Sequence, residues 1–246
     1  MKCLILAAGY ATRLYPLTEN FPKPLLEVAG KTILDWLIED LEKGGEVDEY
    51  IIVSNHKFAD IFRRWIASHP CKAKMSLVDD GSVSNDTRLG AVKDIQLGIK
   101  SRGVDDDLLV MAGDNLLTFS LLGFLEYFRE KGTTCIMRFY QPDLEKLHKT
   151  GVAEVDADGR IVSMEEKPAN PKSHWCCPPF YLYRREDLGL VDVGIEEGCG
   201  TDAPGSFIAW LCGRTAVHAW EMPGERLDIG NLESYEAAKR TFKPSL

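Results

Sequence analysis

The sequence predicts an α/β protein: a three-layer α/β/α sandwich doubly wound around a mixed, mostly parallel sheet. Three observations carry this. Short apolar runs alternate with helical-period stretches through the first 112 residues. After about residue 131 the texture changes to hairpin signals, so the second half should be more antiparallel. The composition, 45% hydrophobic and 27% charged over 246 residues, is that of an ordinary globular chain with one sizeable core.

The elements follow in order. Lys2 to Ala8 is an apolar run closed by Gly9, a buried strand and its turn. Thr32 to Lys43 sets Ile33, Leu34, Leu37, Ile38 and Leu41 at helical spacing and stops at Gly44-Gly45. Glu49 to Ser54 reads as a second strand, Phe58 to Ser68 as an amphipathic helix and Ala73 to Val78 as a third strand. Ala91 to Lys100 reads as a helix, Leu108 to Ala112 as a fourth strand and Leu121 to Lys131 as another helix. Thr133 to Tyr140 is a strand, "GVAEVDADGRIVSMEEKP" a hairpin pivoting on Asp158-Gly159, and "FYLYRRED" a further strand. Leu232 to Phe242 is a closing helix. With no repeat, low-complexity tract or linker, 1–246 reads as a single domain, with lobes at 1–118 and 119–246 sharing one sheet.

Charge and cysteine usage narrow the function. A formal net charge of -9 argues against non-specific binding to nucleic acid or an anionic membrane, both of which reward basic surfaces. Any attraction for an anionic ligand must then be local and metal-assisted. Cys3 to Ala8 is too short for a signal-peptide core, and no stretch approaches the roughly 18 apolar residues of a membrane span. Seven scattered cysteines without a C-x-x-C pair suit a reducing cytoplasm and free thiols. Cys176 and Cys177 beside His174 lack zinc-ligand spacing and read as structural. His56, His69, His148 and His218 show no spacing that marks a site, and Trp36, Trp65 and Trp210 read as helix packing rather than stacking platforms. The sequence is compatible with a homo-oligomer.

The glycine turn after the first strand is not a dinucleotide fingerprint, because Gly9 is followed by Tyr10, Ala11 and Thr12 with no second glycine. Nor is "GKT" at Gly30 to Thr32 a Walker A loop, since Leu25 occupies the place of its first glycine. The residues Ala7, Ala8, Gly9, Thr12, Arg13, Leu14, Pro16, Leu17 and Thr18, followed by Pro22-Lys23-Pro24-Leu25, resemble the signature A-A-G-x-x-[ST]-R-L-x-P-L-T and P-K-P-L of the sugar-1-phosphate nucleotidyltransferases. The resemblance implies a Rossmann-like fold of the nucleotide-diphospho-sugar transferase type. The residue types suit triphosphate chemistry. Small side chains at Ala7, Ala8 and Gly9 let phosphates approach the backbone. Arg13 offers a permanently charged planar fork, and Lys23, restrained between two prolines, a point charge. At an effective dielectric near 20 one such charge about 4 Å from a phosphate oxygen contributes about 4 kcal/mol before desolvation.

Further segments carry the resemblance along most of the chain. Asp114 follows an apolar strand at the carboxyl edge where open α/β sheets bind ligands; alone it reads as a helix cap or turn residue as readily as a ligand. Gly113-Asp114-Asn115 matches the family motif G-D-[ND], which implies Mg2+ on Asp114. "RLDIGNLESY" is similar to the later W-x-D-[IT]-G-[TN]-x-x-[SD]-[LY] segment and points to Asp228 as the second carboxylate. "EEKP" matches E-K-P, implying that Glu166 meets sugar hydroxyls and Lys167 the sugar phosphate; taken alone they read as a solvated pair. Gly151 matches the glycine opening that hairpin. In "DDGSVSNDTRLGAVKDI" the equivalent of the base-reading loop falls at Leu89, Gly90 and Ala91, with Asn85 or Asp86 to read the base. "DAPGSFIAWL" and "DIGNLESYEAA" look most like short glucose-1-phosphate thymidylyltransferase-like members, without the β-helix acyltransferase domain of some relatives.

The implied activity joins a nucleoside triphosphate, dTTP or UTP favoured, to a sugar-1-phosphate, giving a nucleotide sugar and pyrophosphate. Arg13, Lys23 and Asp114 would be catalytic, with Mg2+ as cofactor. Two alternatives stand beside it. A cytidylyltransferase acting on a non-sugar phosphate or phosphonate such as phosphocholine shares the first signature, and "EEKP" argues for the sugar. A non-catalytic sensor is expected to lose the arginine or a metal carboxylate, and this chain keeps Arg13, Lys23, Asp114 and Asp228.

Overall fold

The computed structural model describes residues 1–243; the last three residues of the expected domain and of its second lobe lie outside the described residues. From the N-terminus the order is β1 (Lys2–Ala7), β2 (Glu27–Val28), β3 (Lys31–Thr32), α1 (Ile33–Gly44), β4 (Glu49–Ser54), α2 (His56–Ser68), β5 (Lys74–Asp79), α3 (Ala91–Arg102), β6 (Leu108–Ala112) and β7 (Asn115–Leu117). It continues with α4 (Leu122–Lys131), β8 (Thr134–Tyr140), α5 (Leu144–Leu147), β9 (Gly151–Val155), β10 (Ile161–Glu166), β11 (Trp175–Cys177) and β12 (Phe180–Tyr183). The last elements are α6 (Leu190–Glu196), α7 (Gly205–Leu211), β13 (Val217–Glu221), β14 (Arg226–Asp228) and α8 (Leu232–Thr241). Among the described residues no helix is long and apolar enough to cross a membrane.

The architecture is α/β with a mixed sheet, and two compact units interleave along the sequence. The first comprises Met1–Arg88, Ala112–Gly123 and the segment from Pro223 onward; the second comprises Leu89–Met111 and Phe124–Met222.

In the first unit β1, β4 and β5 run parallel, in a register that brings Ala7, Ser54 and Asp79 level at their carboxyl ends. Fully buried Cys3, Leu4 and Ile5 make β1 an interior strand, which is why its sequence is continuously apolar rather than alternating. The helices begin at side-chain caps. Thr32 and Asp35 form a capping box on α1, and Asn55 caps α2 through Phe58 N. A core cluster of Leu14, Leu26, Val28, Ile33, Leu116, Ile229, Tyr235, Ala238 and Phe242 joins all three chain segments of this unit.

The second unit carries the change of texture. β12 pairs antiparallel with β6 and β8, β11 antiparallel with β8 and β9, and β9 with β10, while β13 runs parallel to β8. The β9–β10 hairpin turns at Gly159 (φ 83°), where a Cβ would come within 2.8 Å of the Tyr127 hydroxyl. Its register sets Gly151 opposite Glu166.

Candidate active site

The loop after β1 is held from several sides. Ala11 adopts the left-handed conformation (φ 47°, ψ 42°), which a non-glycine residue takes only when its surroundings impose it. The fully buried Thr18 hydroxyl donates to the Ala11 carbonyl at 2.8 Å, and Leu14 N donates to the same oxygen at 2.9 Å. The Asn55 amide that caps α2 also donates to the Ala8 carbonyl at 3.0 Å. Among the described residues no protein acceptor takes the N–H of Gly9, Tyr10, Ala11, Thr12 or Arg13. Thr12 and Arg13 are exposed on one turn of 3-10 helix, and the Arg13 guanidinium has no partner among the described residues. A cation beside successive unclaimed N–H groups is an arrangement that receives an anion.

Lys23 and Asp114 meet in the same unit. The prolines start another 3-10 turn, Lys23–Leu25, and the lysine is only 8% exposed, an environment in which a charge needs a partner. Its Nζ lies 2.5 Å from Asp114 Oδ2. Gly113 permits this approach: a Cβ there would meet Ile5 Cγ2 at 3.0 Å and Pro24 at 3.3 Å. Asn115 Nδ2 donates to Asp114 Oδ1 at 2.8 Å. β7 pairs with β14 so that Asn115 faces Asp228, and Ile229 N donates to the Asp114 carbonyl at 3.3 Å, bringing Asp114 and Asp228 onto neighbouring rungs.

The donor chemistry fits a hard cation. Both candidate ligands are carboxylates, and both are partly open to solvent. Among the described residues no group of three or more His, Cys, Asp or Glu is placed to enclose a metal. An ion on this pair would take its remaining ligands from substrate oxygens and water, which is the habit of Mg2+ and unlike a closed structural zinc site. The seven cysteines are free, and burial pushes the Cys177 thiol up, the behaviour of a packed thiol.

The second unit brings together Gly151, Glu166 and Lys167. A Cβ on Gly151 would meet Met164 Cε at 2.6 Å and Glu166 Oε2 at 3.1 Å, and one on Gly205 would overlap the same carboxylate oxygen. Glu166 therefore lies in a slot between two glycines. Burial pushes its carboxyl above the ordinary glutamate value; Lys167 opposes that shift and Asp202 adds to it. Lys167 is left-handed (φ 49°), its N–H donates to the Thr150 carbonyl at 3.0 Å, and its exposed ammonium makes no hydrogen bond or ion pair among the described residues.

The expected base-reading residues lie on a 3-10 turn and at the start of α3. Asn85 opens an exposed 3-10 turn, and its carbonyl accepts from Arg88. Gly90 is buried at the start of α3 (φ 92°), packed on the Thr201 carbonyl, while Ala91 N and Val92 N donate to the Asp202 and Thr201 carbonyls at 3.1 Å each. Sequence reasoning missed two groups. Asp80, whose carboxylate accepts from Ser82 N at 2.7 Å and Ser82 Oγ at 3.0 Å, links to Tyr10 through Ser82; burial pushes its pKa up. Asp80 stands near the start of the segment compared with the base-reading loop, where only Asn85 to Ala91 were singled out. Arg226, whose Nη1 donates to Asn115 Oδ1 at 2.5 Å, was equally unmarked.

Comparison with known proteins bears on this geometry. Residues 2–244 match the family described as Nucleotidyl transferase. The chain is 26% identical over 247 residues to the UTP–glucose-1-phosphate uridylyltransferase of Synechocystis sp., an alignment covering 98% of this chain and 63% of that protein. It is 31% identical over 242 residues to the glucose-1-phosphate thymidylyltransferase of Mycobacterium tuberculosis, covering 95% of this chain and 79% of that one. The crystal structure of UDP-glucose pyrophosphorylase complexed with UDP-glucose has the same fold, with a TM-score of 0.81 at 21% identity over 97% of this chain and 96% of the other. The chain spans between 42% and 63% of the length of the first relatives it matches.

Proposed function

We propose, for a chain that belongs to the nucleotidyl transferase family, that it joins a nucleoside triphosphate to a sugar-1-phosphate, releasing pyrophosphate and leaving a nucleoside diphosphate sugar. The observation that carries the reading is the fixed loop of unclaimed N–H groups ending at an unpaired Arg13, a receptor for a polyphosphate. A phosphate oxygen of the acceptor attacks the α-phosphorus, and the bond to pyrophosphate breaks as the new P–O bond forms. That nucleophile is already anionic, so no general base is required and catalysis consists of alignment and charge stabilisation.

Each residue then has a task. Arg13 stabilises the leaving pyrophosphate, and Lys23 faces the α-phosphoryl group. Lys167 holds the acceptor phosphate in line, and Glu166 accepts from sugar hydroxyls in its ionised form. Asp114 and Asp228 would hold Mg2+, which supplies Lewis-acid stabilisation of the phosphoryl oxygens when bound. The uridylyl- and thymidylyltransferases among the relatives support UTP or dTTP as donor.

The test is pyrophosphate release with Mg2+ from a matrix of dTTP, UTP, CTP, GTP and ATP against glucose-1-phosphate, mannose-1-phosphate, N-acetylglucosamine-1-phosphate and phosphocholine. Release that needs both UTP or dTTP and a sugar-1-phosphate is the expected result. Release only with CTP and phosphocholine, or silence across the matrix from folded protein, overturns it.

A further inference from the structure

Arg226 has no part in the reaction just described, yet its guanidinium reaches the residues around both candidate metal carboxylates. On β14 it stands two residues before Asp228 and opposite Leu117 of β7. Its Nη1 donates to Asn115 Oδ1 at 2.5 Å and lies 3.8 Å from Asp228 Oδ2. The Asn115 amide passes the connection on, donating to Asp114 Oδ1, and Asp114 pairs with Lys23. The arginine side chain is 16% exposed, whereas that of Asp228 is 53% exposed.

The two distances have different meanings. The contact with Asn115 is a short hydrogen bond; the approach to Asp228 is longer than one. Arg226 is thus anchored on the amide and acts on Asp228 through its field, leaving the carboxylate oxygens uncovered. Each candidate metal ligand has its own resident cation, Lys23 for Asp114 and Arg226 for Asp228. The cluster is close to neutral, so a bare divalent cation finds little net charge to attract it, while one arriving with a triphosphate brings its own counter-charge. The similar segment quoted above has tryptophan where this chain has Arg226.

We infer that Arg226 is a positioning residue that fixes Asn115 against Asp114 and holds down the affinity of the Asp114 and Asp228 pair for a divalent cation in the free protein, so that metal and nucleotide are taken up together. The inference rests on the proposed use of that pair.

The test is Mn2+ binding to the full chain, followed by the electron paramagnetic resonance signal of free Mn2+, with and without a non-hydrolysable nucleoside triphosphate analogue. R226Q keeps a donor for Asn115 and loses the charge; R226K keeps the charge; D228N removes the candidate ligand. Without nucleotide, R226Q should bind Mn2+ about tenfold more tightly than wild type and R226K nearly as wild type does. In wild type the analogue should tighten Mn2+ binding by about tenfold or more, within the usual range of coupling between ligands. D228N should weaken binding throughout. If D228N weakens binding but R226Q matches wild type, the role of Arg226 is overturned and the metal pair stands. If D228N has no effect, the pair itself falls and the inference with it. Should R226Q not fold, R226M removes the same charge, and the wild-type coupling alone overturns the inference if it is absent.

Discussion

Replacing Gly205 with alanine separates the packing of the second unit from its chemistry. The backbone accepts the change: Gly205 opens α7 after Pro204 and is not among the residues with positive φ, so alanine gains roughly 0.5–1 kcal/mol of helix preference. The obstacle is Glu166. The new Cβ would stand far inside 3.0 Å of its Oε2, and the carboxyl, as the free end of a flexible side chain, can swing away at little cost in stability. The swing has to be about 1 Å, and misplacement of that size at a reacting complex costs on the order of 10²-fold. G205A should therefore melt at or slightly above the wild-type temperature. Its KM for the sugar phosphate should rise by roughly 10- to 100-fold, with the nucleoside triphosphate KM unchanged. The assay is pyrophosphate release with the acceptor varied at saturating triphosphate, beside a thermal melt. An unchanged acceptor KM at an unchanged melting temperature would refute the claim that the glycine slot fixes Glu166 for the sugar.

Gly90 should respond in the opposite way, because both its φ of 92° and the Thr201 carbonyl resist a side chain and neither can yield. G90A should lose about 2–4 kcal/mol, read as a lower urea midpoint. R13A removes an exposed, unpaired side chain, so its urea midpoint should stay at the wild-type value while kcat falls by roughly 10²- to 10³-fold. The raised pKa of Glu166 means that, on acidification, protonation begins at a higher pH than for an ordinary glutamate. Acceptor KM should rise as pH falls through that value, and E166Q should flatten this limb of the profile. T18V removes one of the two donors to the Ala11 carbonyl, Leu14 N remaining, and should cost about 0.5–1.5 kcal/mol by denaturant melt.

Much of the fold was legible because its signals are local. β4 was read with both ends correct, and α1, α2 and α8 each within two residues, from apolar periodicity and terminal cap residues. β7 and β14 were not, since three residues carry no period and their partner lies more than a hundred residues away. That pairing is what makes Asp228 a neighbour of Asp114, so only resemblance to a motif could nominate Asp228, and nothing nominated Arg226. Conformation was hidden in the same way. Ala11 and Lys167 are left-handed without being glycine, a state imposed by tertiary contacts such as the Thr18 hydroxyl on Ala11. Nothing in "DAPGSFIAWL" singles out Gly205, and its use as room for Glu166 becomes visible only with β10 in place.

The interleaving of the two units sets a timetable for synthesis. When Gly123 leaves the ribosome, the loop after β1, Lys23 and Asp114 have all been made, but Ile229, Tyr235, Ala238 and Phe242 of the same core cluster have not. At ordinary translation rates they follow on the order of ten seconds later, after the whole of Phe124–Met222 has emerged. Through that interval Leu14, Leu26 and Leu116 lack the apolar partners that will cover them, leaving the nascent chain a client for chaperones. Asp228 arrives in the same closing segment as those partners. A chain stalled before it would carry the loop after β1 without the second carboxylate or the finished core, so completing the first unit's fold and completing its proposed metal pair are one event.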